Sequence, residues 1–256
     1  MITRLKTSKP LRNIVASIVA LGVTVCAAIQ PAKAAVTFSG ASGDLSASAA
    51  FSIVGGNLQV VLTNTGIVDV TGPASILTAV FFDITGNPTL SSVSAILTAG
   101  SSVPIGPTDP GGVVGGEWGY KSGLAGAPGG AKEGISSVGL SLFGGATFPG
   151  TNLVVPGSGA LDGPQYGITS AGDDPSTYAG RYTPLIQNSV TFELGSLPTG
   201  FALGQISNVS FQYGTASTDT HVGGVIPEPE TYAMLLAGLG LMGFVARRRR
   251  QKNAAI

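Results

Sequence analysis

The stretch AFSIVGGNLQVVLTNTG, Ala50–Gly66, decides the fold. Two short runs rich in Val, Ile, Leu and Phe flank Gly-Gly-Asn, and a Thr-Gly pair closes the second run. That is the pattern of strand, tight turn, strand, turn. The same grammar continues outward. SILTAVFFDITGN (Ser75–Asn87) reads as a strand ending in a turn, and SSVSAILTA (Ser91–Ala99) as a strand that could pair with it. ISSVGLSLFG (Ile135–Gly144), NSVTFELG (Asn188–Gly195) and QISNVSFQYG (Gln205–Gly214) supply later strands with partial alternation. Strands of this length, broken by Gly, Pro and Asn, predict an all-β chain: a single β-sandwich, jelly-roll-like or Ig-like, with Gly-rich loops. No internal repeat of fixed period is visible, which argues against a solenoid.

Between the strands lies PIGPTDPGGVVGGEWGYKSGLAGAPGGAKEG, Pro104–Gly134, which contains the single tryptophan of the chain, Trp118. So many glycines predict a long surface loop that buries little, with Trp118 tucked against the sandwich. A functional alternative makes Glu117, Trp118 and Tyr120 a glycan-stacking face. A second loop, Pro149–Tyr182, carries Asp162, Tyr166, Asp173, Asp174 and Tyr178.

Catalytic chemistry has little to work with. His221 is the single histidine, in the polar stretch STDTHVGG, and reads as solvated linker. Neither a G-x-S-x-G elbow, nor S-x-x-K, nor H-E-x-x-H occurs in the body. A zinc site would need more than one histidine in a body without thiols. Asp173-Asp174 could chelate Ca²⁺ with nearby carbonyls, and DITGNPT (Asp83–Thr89) is a fragment of a calcium loop without its later ligands. Acids in surface turns are the ordinary reading of both, so no cofactor is expected. A glycosidase pair such as Glu117 with Glu193 has no feature that selects it. Thr63-Asn64-Thr65 and Thr218-Asp219-Thr220 are isolated Thr-x-Thr pairs, not an ice-binding array.

The two ends carry a different message. Arg4, Lys6, Lys9 and Arg12 precede an apolar run, Ile14–Ile29, that closes on Ala32-Lys33-Ala34. A basic segment, an apolar segment and a small-residue exit describe a secretory signal peptide over residues 1–34, with Ala32 and Ala34 at the cleavage pattern. Cys26, the one cysteine, falls inside it, so an exported body starting at Ala35 has no thiol. At the other end, Pro227-Glu228-Pro229 leads into YAMLLAGLGLMGFVA, Tyr232–Ala246, fifteen residues without a charge, followed by Arg247, Arg248, Arg249 and Arg250. At about 1.5 Å per residue this helix would cover roughly 22 Å of the roughly 30 Å hydrocarbon layer. It has no polar face, and long basic side chains reaching the headgroups extend its span. The arginines on the cytoplasmic side obey the positive-inside tendency, so 232–246 is expected as a transmembrane helix with a basic stop.

The formal charge of zero hides unlike parts. Residues 35–226 keep three basic side chains, Lys121, Lys132 and Arg181, against eleven acids, a net of 3 − 11 = −8. Such a body repels nucleic acid and anionic lipid. Its 226 − 35 + 1 = 192 residues suffice for one substantial β domain.

Pro227-Glu228-Pro229, the apolar helix and the arginine cluster, in that order and opposite a signal peptide, resemble the PEP-CTERM sorting signal of Gram-negative bacteria. The resemblance covers the last eighth of the chain. Isoleucine precedes the motif where valine is commoner. The same tail is also labelled on some ice-binding proteins, and says nothing of ice by itself. The resemblance implies recognition by an exosortase, a multi-span membrane enzyme that acts near the Pro-Glu-Pro and passes the body to the cell surface. By association it also implies an exopolysaccharide or biofilm context. The expected organisation is signal peptide 1–34, β-sandwich 35–217, linker 218–226 and sorting signal 227–250. The expected function is that of an exported, non-enzymatic surface or matrix protein, with membrane lipid and an exosortase as partners. The alternative is an exported carbohydrate-binding or carbohydrate-active module.

Overall fold

The computed structural model describes residues 35–226 except 146, 156–160 and 162, together with the isolated residue 239. The expected signal peptide and Pro227-Glu228-Pro229 lie outside the described residues, as does the expected membrane helix apart from Leu239. Among the described residues no helix is long and apolar enough to cross a membrane.

In chain order the strands are β1 (Ala35–Ser42), β2 (Leu45–Val54), β3 (Asn57–Asn64), β4 (Leu77–Ile84), β5 (Ser91–Leu97) and β6 (Gly119–Lys121). They continue as β7 (Glu133–Ser136), β8 (Ile168–Thr169), β9 (Ile186–Gln187), β10 (Ser189–Gly195), β11 (Ile206–Tyr213) and β12 (His221–Gly223). One sheet has the order β1-β2-β3-β10-β5 and the other β12-β11-β4-β7-β6, with β8 beside β4 and β9 parallel to β8. Apart from that last pair, all pairings are antiparallel.

The Ala50–Gly66 stretch folds as expected. Gly55 and Gly56 take φ of 59° and 84° in the β2–β3 turn. Positive φ at both central residues is what a two-residue hairpin turn with the right twist requires. Along β3, Leu58, Val60 and Leu62 are wholly buried while Gln59, Val61 and Thr63 between them are half-buried on the outer face. This alternation marks a sheet with one face on the core. The two sheets meet through aromatic rings: Phe51 on β2 lies 5.3 Å from Phe82 on β4, edge to face, and Phe38 on β1 stands 5.8 Å from Phe51. β4, LTAVFFDI, is buried almost end to end because both of its faces are covered. Val80 and Phe82 enter the sandwich core, while Ala79 and Phe81 join a second cluster with Leu124, Ala131, Val138 and Phe143 on the outside of that sheet.

Four expectations need correction. β5 does not pair with β4: the turn after β4 carries the chain across to the other sheet, where β5 lies against β10. Of Ile135–Gly144 only the first two residues belong to a strand, β7; the rest are turns whose apolar side chains cover Phe81. The topology is neither Ig-like nor jelly-roll-like, because β1, β2 and β3 form a consecutive meander within one sheet, whereas an Ig domain moves to its second sheet after two strands. Segment 218–226 is not a linker. It contains β12, and beyond it Val225 bridges to Ser39, so the sandwich runs from Ala35 to at least Val225.

Candidate functional site

The junction between body and tail is built by close approach of backbones. Ser39 N–H donates to the Val225 carbonyl and Val225 N–H donates to the Ser39 carbonyl, both at 2.9 Å, while Gly224 N–H donates to Val209 O at 2.8 Å. Next to this bridge a Cβ on Gly40 would stand 2.4 Å from the Gly223 carbonyl oxygen. Only a glycine lets β1 and the β12 segment come this close. The edge of β1 is thereby covered where it would otherwise offer free N–H and C=O groups. His221 sits exposed at the start of β12, as a solvated side chain should.

The Gly-rich segment 104–134 does not behave as the expected loose loop; it buries a great deal. A Cβ on Gly115 would lie 2.0 Å from Pro149 O, and one on Gly116 would lie 2.1 Å from Thr151 O. The missing side chains are what let this backbone pack against residues 149–151. Trp118 is wholly buried, with Phe192 at 5.0 Å between ring centroids, and its indole N–H donates to Tyr166 O at 3.1 Å. Glu117 accepts the backbone N–H groups of Leu153 and Val154, anchoring one loop on another. Tyr120 is also buried and donates its hydroxyl to Glu133. The three candidate glycan contacts are therefore structural: all face inward, and none presents a surface for a sugar to stack on. The Glu117–Glu193 pair fares no better. Glu193 lies on the face of β10 opposite Phe192, against which Trp118 packs.

Sequence reasoning passed over Glu133, the most unusual carboxyl of the body. It is wholly buried on β7, and burial pushes its pKa up to about 7. The Tyr120 hydrogen bond opposes that shift and the Asp83 carboxylate nearby adds to it. One carboxyl oxygen, Oε1, has no hydrogen-bond partner. Asp83 itself accepts Lys132 N–H and the Asn208 amide, at 2.7 and 2.9 Å. No histidine or thiol lies among these groups, so the arrangement is a buried acid against a phenol, not a nucleophile with a base.

One oxygen of each carboxylate of Asp173-Asp174 is engaged by backbone, while Asp173 Oδ2 is buried without a hydrogen-bond partner. Asp173 Oδ1 accepts Val70 N–H at 2.8 Å, Asp174 Oδ1 accepts Ser176 N–H at 2.9 Å, and Asp69 accepts Asp174 N–H at 3.0 Å. They pin loop 65–72 to loop 170–177. Burial raises the Asp173 pKa, while its neighbour Asp174 is held low by the Ser176 N–H. Among the described residues no group of three or more His, Cys, Asp or Glu side chains could hold a metal ion. A shallow open cavity of about 290 Å³ is lined by Leu140, Ser141, Thr215, Ala216 and Ser217, which include no titratable side chain.

Neither the curated proteins nor the solved structures give a match to this chain. The family comparison does: the PEP-CTERM protein-sorting motif matches residues 225–250, beginning at the residue that Ser39 clamps. The motif implies exosortase processing and membrane-anchored sorting to the cell surface or beyond. The chain thus carries a PEP-CTERM protein-sorting motif over residues 225–250, joined directly to the last bridge of an all-β sandwich.

Proposed function

We propose that the chain is an exported, non-enzymatic surface or matrix protein. It is held in the inner membrane by Tyr232–Ala246 and the stop at Arg247–Arg250 until an exosortase acts at Pro227-Glu228-Pro229. The observation that carries this reading is the sorting motif at residues 225–250, set at the end of a folded body. The body supports a structural role by what its polar groups do. Glu117, Asp69, Asp173 and Asp174 are engaged in holding loops together, and Trp118 fills the core. The acidic, thiol-free surface suits a partner that is neutral or bridged by cations, such as an exopolysaccharide in a biofilm matrix. This function needs no cofactor.

Intact-mass measurement of the chain, expressed with and without an exosortase, tests the proposal. The expected result is loss of the tail and release of the body only where the enzyme is present. An identical mass in both strains overturns it.

A further inference from the structure

The two poles of the sandwich differ sharply in charge, and the registers say toward which pole the chain heads at Val225. β1 starts at Ala35, which pairs with Ser52 near the end of β2. β3 starts, β10 ends, β5 starts, β4 ends and β11 starts at this same pole. The turns that close it are residues 53–57, 85–91 and 196–205, and they contain no Asp, Glu, Lys, Arg or His. They offer half-buried Leu197, Phe201 and Leu203 and the 39 % exposed Ile53. In the strand ends and connection beside them, Asp83, Glu193 and the buried Glu133 stand against Lys121 and Lys132, 2 − 3 = −1. The opposite pole collects Asp44, Asp69, Asp109, Asp173, Asp174 and Asp219 in its turns, against Arg181, 1 − 6 = −5.

The chain leaves the body toward the uncharged pole. Val225 faces Ser39 in antiparallel register, so the chain passes Val225 heading in the direction of Ala35. Ser39 lies four residues, about 13 Å, from Ala35, and β2 continues two residues past Ser52, about 7 Å further. Six residues, 226–231, separate Val225 from the expected membrane helix, and fully extended they span at most about 21 Å. The tether therefore has almost no slack beyond the roughly 20 Å that the body itself takes up. An eight-residue strand holds the acidic pole about 26 Å away, more than two Debye lengths of about 8 Å at physiological ionic strength.

The geometry points to a membrane-docking face: while the tail is anchored, the turns 53–57, 85–91 and 196–205 rest on the lipid headgroups, with Leu197, Phe201 and Leu203 at the interface. This inference rests on the membrane-anchored precursor proposed above. It explains how a body of net charge −8 can sit against an anionic leaflet: the carboxylates point the other way. Leaving the membrane requires the tail to be cut, since the face itself offers only a few apolar side chains.

Full-length precursor in a Cys26→Ser background provides the test, with a bimane dye on Thr199→Cys at the uncharged pole or on Ser217→Cys at the acidic one. Both positions are exposed turn residues. The chain is reconstituted into phosphatidylethanolamine–phosphatidylglycerol vesicles carrying a nitroxide-headgroup lipid. The dye at position 199 is expected to be quenched several-fold more strongly than the dye at 217. Equal or reversed quenching overturns the docking face while leaving the anchor intact. Protection of position 199 from aqueous iodide without quenching by the nitroxide lipid would mean a protein contact there and also overturns it. A carbonate wash on the same vesicles separates the two proposals: a full chain shed into the supernatant removes both.

Discussion

Ser39 and Val225 exchange both of their backbone hydrogen bonds, each 2.9 Å long, so the last bridged residue of the body is held against its first strand. Entry into the fold and exit from it share one edge. The sorting motif begins at this clamp, and a pull on the tail is resisted first by the Val225–Ser39 bridge to β1 and then by the pairing of β12 with β11.

The clamp depends on Gly40, and Gly40→Val tests it. The new side chain meets the Gly223 carbonyl, which a Cβ alone would approach to 2.4 Å. The β12 segment should peel from β1 at a cost of about 1–3 kcal/mol, typical of overpacking. Hydrogen exchange reads this directly: the amides of Gly224 and Val225 lose protection while those of β3 keep theirs. Unchanged protection at Val225 would show that the close approach does not matter.

Trp118 should behave as a core residue. Trp118→Ala removes the ring that packs on Phe192 and leaves the Tyr166 carbonyl without its donor. Urea denaturation is expected to show a loss of about 3–5 kcal/mol. A glycan array run on folded variant and parent should give the same pattern. A stability change within error, accompanied by lost glycan signal, would restore the exposed-face reading.

Glu133 makes stability depend on pH in a direction opposite to most carboxylates. Its folded pKa is raised from 4.5 to about 7, mainly by burial. Between those values the folded state holds a proton that the unfolded chain releases, so the contribution of this group is full below about pH 4.5 and falls as pH rises toward 7. The loss amounts to on the order of 3 kcal/mol between the plateaus. Glu133→Gln keeps a neutral group that can pair with the Tyr120 hydroxyl and should flatten that slope. Chemical denaturation at pH 5 and pH 8 checks it, and an equal pH slope in parent and variant would sink the assignment.

The arginine stop should decide membrane retention. A fifteen-residue apolar helix, roughly 22 Å long, falls short of the hydrocarbon layer unless cations grip the headgroups. Replacing Arg247–Arg250 with glutamate is expected to move the unprocessed chain from the carbonate-washed pellet to the supernatant. A variant that stays in the pellet shows the arginines to be dispensable.

The strands that sequence made legible are those with a one-sided or continuous apolar run: β2, β3, β4, β5, β10 and β11. β6, β8, β9 and β12 have two or three residues each, too few for any periodicity to show. The Gly-rich segment misled for a physical reason. Glycine lowers local order, which reads as loop, yet at Gly115 and Gly116 it permits a backbone-to-backbone approach that no other residue allows. Trp118 packs against the sandwich as expected, and Glu117 and Tyr120, which the glycan alternative would expose, are buried with it.

What the sequence determined by itself is the address and the class of fold, because a sorting motif is read as a linear string and strand periodicity is local. Which strands pair was decided only by tertiary structure, as were the burial of Glu117 and Tyr120, the raised pKa of Glu133 and the gathering of most of the acidic turns at one end. Each of these depends on burial and on distances between residues far apart in the chain, and the order of residues leaves both open.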